Sequence, residues 1–447
     1  MRKRSLVFLV AALTGVLGSL TIAVPLFAAD VVNVLHNFGP HPDGAYPIAS
    51  LIFDKSGNLY GTTFLGGEYE CGYEHGCGTI FQLTPEGNGQ WKETVLHNFT
   101  GGEDGCGPSA NLIFDRAGNL YGTASGSGYG GPCNNGTLFE LSPGTNDTWT
   151  FKVLHSFAGD TDGTYPAGLI FDAAGNLYGV TAEGGPSGGG TVFELSFGTN
   201  GAWTVKVLHY FSYGGQDGFL PVGSLTFDRA GNLYGITCCG GGQSSACPYN
   251  FGCGTLFELT PITTGITGEW TERVLHTFNY TDGDNAASGL TSDIDGNLYG
   301  TTQSGGVFGY GVVFQLSPGA NGDWTEKLLH SFSTNNGDGT SPAGELIFDA
   351  AGNLYGTTTY GGAFGSNCGS YNCGTVFELT PGSTTASWSE KVLHRFDGDD
   401  GAFPEAGVVF DSAGNLYGDV SSDGAFGSTC GFYFRNGVCG TVFELTP

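Results

Sequence analysis

The pentapeptide Gly-Asn-Leu-Tyr-Gly occurs seven times, beginning at Gly57, Gly118, Gly175, Gly231, Gly296, Gly352 and Gly414. The intervals of 61, 57, 56, 65, 56 and 62 residues divide the chain into units of about 60. Self-similarity of this kind means an array of supersecondary units, none of which can bury its apolar face alone. Each unit holds four short runs of strand composition. In the first copy they are Leu51-Ile52-Phe53 (A), residues 58–63 (B), 79–84 (C) and 91–99 (D). The A–B connection, Asp-x-x-Gly-Asn, reads as a tight hairpin in which the carboxylate accepts backbone N–H bonds and glycine takes the positive φ.

A four-stranded antiparallel sheet of this length must stack on its neighbours, and seven arranged radially leave only short, protected edges. The chain opens with an isolated D-type run, Val34-Leu35-His36-Asn37-Phe38, and stops at a C-type run, Val442-Phe443-Glu444-Leu445. The seventh sheet therefore takes its D strand from the first residues. An open solenoid would need polar capping repeats, and none is visible. The predicted fold is all-β: a seven-bladed β-propeller with four antiparallel strands per blade, its ring closed by the N-terminal strand in the last blade.

The recurring pattern LHxF, DGxxP, GLIFDxAGNLYGTT, GG and GTVFEL resembles the GloVer tandem-repeat family of bacterial secreted proteins. The part FDxAGNLYG is also similar, more weakly, to NHL-type propeller repeats. The resemblance covers residues 31–447 and implies a propeller with a surface or secreted location, but no chemistry that transfers to a residue. The fifth copy departs from the pattern: Asn285-Ala286-Ala287 stands at the proline position and Ser292 replaces Phe.

Residues 1–29 read as a signal peptide. Arg2, Lys3 and Arg4 precede an apolar run ending in Ala28-Ala29, with cleavage expected near those alanines. An uncleaved anchor is the competing reading, because the run is long enough to span a bilayer. After cleavage no membrane span remains, and residues 30–447 form a single propeller, secreted or on the envelope exterior or in the periplasm, expected as a monomer. Fourteen basic against 42 acidic residues give a net charge of −28. Such a surface repels nucleic acid. Glycine, 81 of 447 residues, far exceeds the roughly 7% of ordinary proteins. Four repeated glycines per unit, both in GNLYG among them, supply much of it and are read as turn positions.

The 12 cysteines divide among the copies as 2, 2, 0, 4, 0, 2 and 2, and the two copies without cysteine have the shortest B–C loops, eight residues each. Even counts in an exported chain point to disulfides within blades. The expected bonds are Cys71–Cys77, Cys106–Cys133, Cys368–Cys373 and Cys430–Cys439, with Cys238 and Cys239 pairing Cys247 and Cys253 in an open order. Cys106 and Cys133 lie in D–A and B–C loops, so that bond tests whether these loops share one face. Zinc is the competing reading of the cysteines.

Function is expected on that face, because only the B–C loops vary greatly in length. These loops carry Tyr69, Tyr73, His75, Tyr129, Tyr249, Phe251, Tyr310, Phe364, Tyr371, Phe426, Phe432 and Tyr433. Such aromatics suit a glycan or an envelope protein; the plain alternative is that they pack their own loops. Asp43, Asp104, Asp162, Asp217, Asp282, Asp338 and Asp400 each precede a glycine in the D–A loop. A ring of carboxylates near the channel mouth could hold Ca²⁺; the competing reading is a turn, with no cofactor. The repeated histidines His36, His97, His155, His209, His276, His330 and His394 read as hydrogen-bonded struts. GxGxxG at Gly126 and GxSxG at Gly185 lack a following helix and are discounted. No catalytic residue is assigned, since no copy breaks the symmetry with an obvious acid, base and nucleophile. The expected function is an exported non-enzymatic binding propeller. The alternatives are a propeller enzyme of the lactonase, glycoside hydrolase or polysaccharide lyase type, with carboxylates at the channel mouth, and a structural surface component.

Overall fold

In a computed structural model of the chain, the A, B, C and D runs pair in that order into seven antiparallel sheets. The described residues are 31–39, 42–71, 76–126, 133, 135–146, 148–199, 201–242, 247, 251–262, 268–335, 337–362, 368, 371–382, 387–422 and 439–447. The expected signal peptide lies outside them. Among the described residues there is no α-helix. Blade 1 comprises Ile52–Phe53, Leu59–Thr63, Thr79–Gly87 and Gln90–Asn98. In the seventh blade Val31–Asn37 is the D strand, antiparallel to Thr441–Thr446 with Val31 opposite Thr446 and Asn37 opposite Thr441. The ring closes as the sequence predicts.

The core follows from the repeated residues. The phenylalanine of strand C (Phe81, Phe139, Phe193, Phe257, Phe314, Phe377, Phe443) is fully buried in every blade. Its ring lies over the second glycine of GNLYG: a Cβ on Gly61 would stand 2.5 Å from Phe81 Cζ. That glycine provides room for a ring, which corrects its reading as a turn residue. The first glycine, Gly57 at φ +85°, does serve the turn. There Asp54 Oδ1 accepts the N–H groups of Ser56 and Asn58, and Oδ2 accepts from Asn58 Nδ2 and the Tyr60 hydroxyl.

The same tyrosine joins blades. Tyr60 packs edge-on to Phe114 of the next A strand at 5.2 Å, and Tyr121 to Phe171 at 5.1 Å. Tyr417 of blade 7 meets Phe53 of blade 1 at 5.0 Å, so the seam repeats the contact made elsewhere. Such pairs contribute roughly 0.5–1.5 kcal/mol beyond their buried area. Each of these tyrosines also meets a tryptophan of the neighbouring D strand, as Tyr60 does Trp149 at 5.9 Å; where Ser292 replaces the phenylalanine, Tyr234 keeps that second contact, with Trp324 at 5.7 Å.

The disulfides Cys71–Cys77, Cys106–Cys133 and Cys368–Cys373 form as expected. The second confirms that D–A and B–C loops share a face. Cys439 is disulfide-bonded, whereas Cys430 lies outside the described residues. Blade 4 differs from expectation. Cys247 bonds Cys253, and Cys238 and Cys239 are free thiols. Both thiols end strand B, Leu233–Cys239, where Cys239 is held in register opposite Phe219. Cys247 and Cys253 instead face each other within the loop.

Phe38 follows the closing strand, is 1% exposed, and meets Phe81 at 5.1 Å. Phe38→Ala should therefore cost about 3–5 kcal/mol, read as a lower urea midpoint with an unchanged slope. An unaltered midpoint would mean that the seam does not hold the ring.

Candidate functional site

Strand A is the innermost of each blade, and the residue before its apolar run faces the axis. Ser50, Asn111, Ser224 and Glu345 meet there although they come from blades 1, 2, 4 and 6. Ser50 N–H donates to Asn111 Oδ1 at 2.8 Å, Ser224 N–H to Glu345 Oε1 at 3.2 Å, and Asn111 Nδ2 to Glu345 Oε2 at 3.4 Å. Burial raises the Glu345 carboxyl above the usual carboxylate range, opposed by hydrogen bonds from Ser224 and Gly289.

Above the axis, on the B–C/D–A face, lies a second ring: Tyr46, Gly107, Tyr165, Leu220, Asn285, Ser341 and Phe403. All have positive φ, from 55° to 61°. Six of them precede a proline, a place where the chain prefers extended backbone. Non-glycine residues hold such a conformation only when their surroundings over-determine it. In four of the six non-glycine residues a carbonyl of the preceding blade's loop does so. Tyr46 N–H donates to Cys439 O at 2.9 Å, Tyr165 to Asn135 O at 3.0 Å, Ser341 to Tyr310 O at 2.9 Å and Phe403 to Cys373 O at 2.8 Å. The left-handed backbone position recurs in every blade while its side chain varies. Tyr165, Leu220 and Asn285, with Glu183, Cys238 and Val222, line a pocket of about 490 Å³.

Beyond this ring lie the exposed aromatics. All the large exposed apolar side chains among the described residues, except Val31, Val34, Phe197 and Ile294, belong to this face. Of the sequence candidates, Tyr69, Phe251, Tyr310 and Tyr371 are exposed, Tyr371 by 70%. Tyr73, His75, Tyr129, Tyr249, Phe364, Phe426, Phe432 and Tyr433 lie outside the described residues. Phe251 stands 5.8 Å from Tyr213, which is 60% exposed and itself 4.6 Å from Phe219. Tyr371 stands 5.5 Å from Tyr360, which is 5.6 Å from Phe403 of the inner ring. The aromatics do pack on their loops, yet these keep a large part of their surface in solvent. Tyr213, Tyr360 and the inner ring escaped sequence reasoning; the varying residue before proline in DGxxP was the signal of the inner ring.

The seven D–A aspartates do not ring the channel mouth, which corrects that expectation. Each turns to the histidine of the outermost strand, at distances from 2.7 Å (His155–Asp162 and His394–Asp400) to 3.6 Å (His36–Asp43). A bulge just before the histidine in every D strand breaks the simple alternation and turns the ring toward the loop. The carboxylate also accepts loop N–H groups, as Asp162 does from Ala158 at 2.7 Å. The histidine is the strut expected, and the aspartate is its partner as well as a turn residue. Burial would raise the Asp104 carboxyl, but bonds from His97 and Thr100 outweigh it and hold it below its ordinary value.

At four interfaces a glutamate of the neighbouring D strand joins the pair: Glu93 beside His36 and Asp43, Glu272 beside His209 and Asp217, Glu326 beside His276 and Asp282, Glu390 beside His330 and Asp338. Burial, aided by the adjacent aspartate, pushes Glu93 and Glu326 up to about 7. Ligand atoms of His36, Asp43 and Glu93 lie within 4.8 Å of one another, a set that could hold a divalent cation. Its imidazole suits a transition metal better than Ca²⁺.

Blade 7 breaks the symmetry where sequence reasoning saw no break. Asp419 takes the place of the threonine in GNLYGTT, is 1% exposed, and neither carboxylate oxygen has a hydrogen-bond partner. Burial, reinforced by Glu405, raises it well above its ordinary value. Glu405 Oε1 accepts from the Tyr46 hydroxyl at 3.1 Å and Ser421 Oγ at 3.0 Å. Burial raises its carboxyl too. Both residues, and Glu345, were visible as single departures from the repeat.

Seven four-stranded blades around a polar axis, with one variable and aromatic-rimmed face, define a seven-bladed β-propeller. The chain belongs to the Gloeobacter/Verrucomicrobia repeat family, whose pattern matches residues 14–249 and 247–434. No curated protein matches it. Among solved structures it is similar to virginiamycin B lyase from Staphylococcus aureus, at 12% identity and a TM-score of 0.50, covering 94% of this chain and 99% of that one. It is also similar to the extracellular domain of a hybrid two-component system from B. thetaiotaomicron, at 12% identity and a TM-score of 0.54, covering 94% of this chain and 42% of that one. These likenesses show the fold alone.

Two outcomes follow from the buried carboxyls. A carboxyl whose folded pKa lies above its unfolded value of roughly 4.3 stabilises the fold at low pH, and that contribution is lost as pH rises through the folded value. The double variant Glu93→Gln, Glu326→Gln should therefore lose less thermal stability than the parent between pH 5 and 8; equal losses would refute the assignment. Asp419→Thr, which restores the repeat residue, should stabilise the fold by roughly 1–3 kcal/mol, more at pH 8 than at pH 5, in thermal unfolding.

Proposed function

We propose that the chain is an exported, non-enzymatic propeller that binds a ligand of the cell envelope or its surroundings through the B–C/D–A face. The observation that carries this reading is the gathering on that face of every exposed aromatic among the described residues except Phe197, beside a pocket of about 490 Å³. A glycan fits better than a protein. The pocket is lined by an aromatic residue, Tyr165, an amide, Asn285, and an acid, Glu183, residue types that hold a sugar ring by stacking and hydroxyl contacts. The acidity of the chain favours a neutral ligand over an anionic one. Disulfides in the B–C loops and the absence of a membrane-crossing helix among the described residues are compatible with export.

A screen of neutral glycans and envelope proteins, followed by calorimetry, tests it. Tyr213→Ala, Phe251→Ala and Tyr371→Ala should each weaken binding about tenfold, near 1.4 kcal/mol. A triple variant that binds like the parent would place the site elsewhere. One observation favours the second reading, catalysis: Glu405, with a raised carboxyl, lies between the Tyr46 and Ser421 hydroxyls just inside the mouth. Turnover of a bound glycan that Glu405→Gln abolishes would establish it.

A further inference from the structure

Cys238 and Cys239 are adjacent in sequence, yet their Sγ atoms stand 2.6 Å apart. Consecutive side chains of a regular strand point to opposite faces, so the approach marks a local distortion at the end of strand B, just before Gly240, Gly241 and Gly242 at φ +91°, +80° and +106°. Every other described cysteine is disulfide-bonded. Cys247 and Cys253, the partners expected for these two thiols, are bonded to each other. Among the described cysteines, the only partner left to each sulfur is therefore its neighbour. Cys238 also lines the 490 Å³ pocket beside Tyr165, Leu220 and Asn285, while Cys239 packs on the other side against the buried cluster of Phe211 and Phe219.

We propose that Cys238 and Cys239 close a vicinal disulfide in the wall of the pocket, forming an eight-membered ring that sets the pocket's shape and exchanges with a dithiol form. The proposal rests on the exported reading, since an oxidising compartment must supply the oxidant, a small-molecule or protein disulfide. The Cys239 thiolate attacks one sulfur of that disulfide, forming a mixed disulfide and expelling one thiolate. The Cys238 thiolate then attacks Cys239 Sγ, closing the ring and expelling the second. Two electrons pass from the cysteines to the oxidant, and their two protons end on its thiols. A hydrogen bond from Cys238 lowers the Cys239 thiol and makes it the first nucleophile. In the ring form the pocket presents a fixed apolar sulfur surface; in the dithiol form it presents a chelating pair of soft donors.

The test uses the full chain, isolated with an alkylating agent present, digested with pepsin at acid pH to prevent exchange and mapped by tandem mass spectrometry. A peptide spanning both residues should be unalkylated, two hydrogens lighter than the dithiol, and should take two alkyl groups only after reduction. Alkylated Cys238 and Cys239 beside intact Cys71–Cys77 and Cys106–Cys133 would overturn the ring and leave the exported reading standing. Alkylation of all the cysteines would overturn both. A cross-link from Cys238 or Cys239 to Cys247 or Cys253 would also overturn it. As a second readout, phenylarsine oxide should bind after mild reduction with one more equivalent in the parent than in Cys238→Ser, and with no such difference before reduction. Equal uptake after reduction would refute the paired-thiol site.

Discussion

A sheet of four short strands with apolar residues on both faces cannot be covered by itself, and everything else in this molecule follows from covering both faces at once. Stacking in a ring satisfies the requirement for every blade, provided the last meets the first. The N-terminal strand makes that meeting a set of β-ladder hydrogen bonds, and Tyr417 against Phe53 makes it the same aromatic contact used between other blades. The seam is thus built from ordinary repeat interactions rather than a special closure.

A rigid ring separates scaffold from function. On one face the A–B hairpins are held by the same aspartate geometry seven times. On the other, each D–A loop is anchored by a histidine and aspartate below, and in five blades by a carbonyl of the preceding blade above. Strain is localised at the residue before proline, whose left-handed backbone is tolerated because its N–H is already engaged. That position can then vary in side chain without disturbing the blade, so seven equivalent backbones present Tyr, Gly, Tyr, Leu, Asn, Ser and Phe to one opening. Asymmetry, which any specific site needs, enters there and at three carboxyl groups: Glu345 on the axis, Glu405 and Asp419 in blade 7.

Much of this was legible in the residues. The periodicity of GNLYG, the Asp-x-x-Gly-Asn turn, the orphan D run at the start and the even cysteine counts led to blade number, strand order, ring closure and three of the four bonds now described. The histidine was recognised as a strut, but its partner was not, because alternation takes no account of a bulge that turns one side chain toward a loop. The aspartates were set around the channel because a loop position in sequence does not say whether its carboxylate faces the axis or the rim. Cys238 and Cys239 were assigned to Cys247 and Cys253 because spacing ignores that strand B is held in register to its last residue.

The sequence by itself determined the repeat, and with it the fold, because local turn chemistry and apolar periodicity are written within each copy of about 60 residues. Only the tertiary structure decided which side chains of different copies meet. Glu345 beside Asn111 and Ser224, Tyr46 beside Glu405, and Tyr165 with Leu220 and Asn285 around one pocket join residues tens to hundreds of positions apart. Such contacts depend on the radius and closure of the ring, which no single repeat encodes.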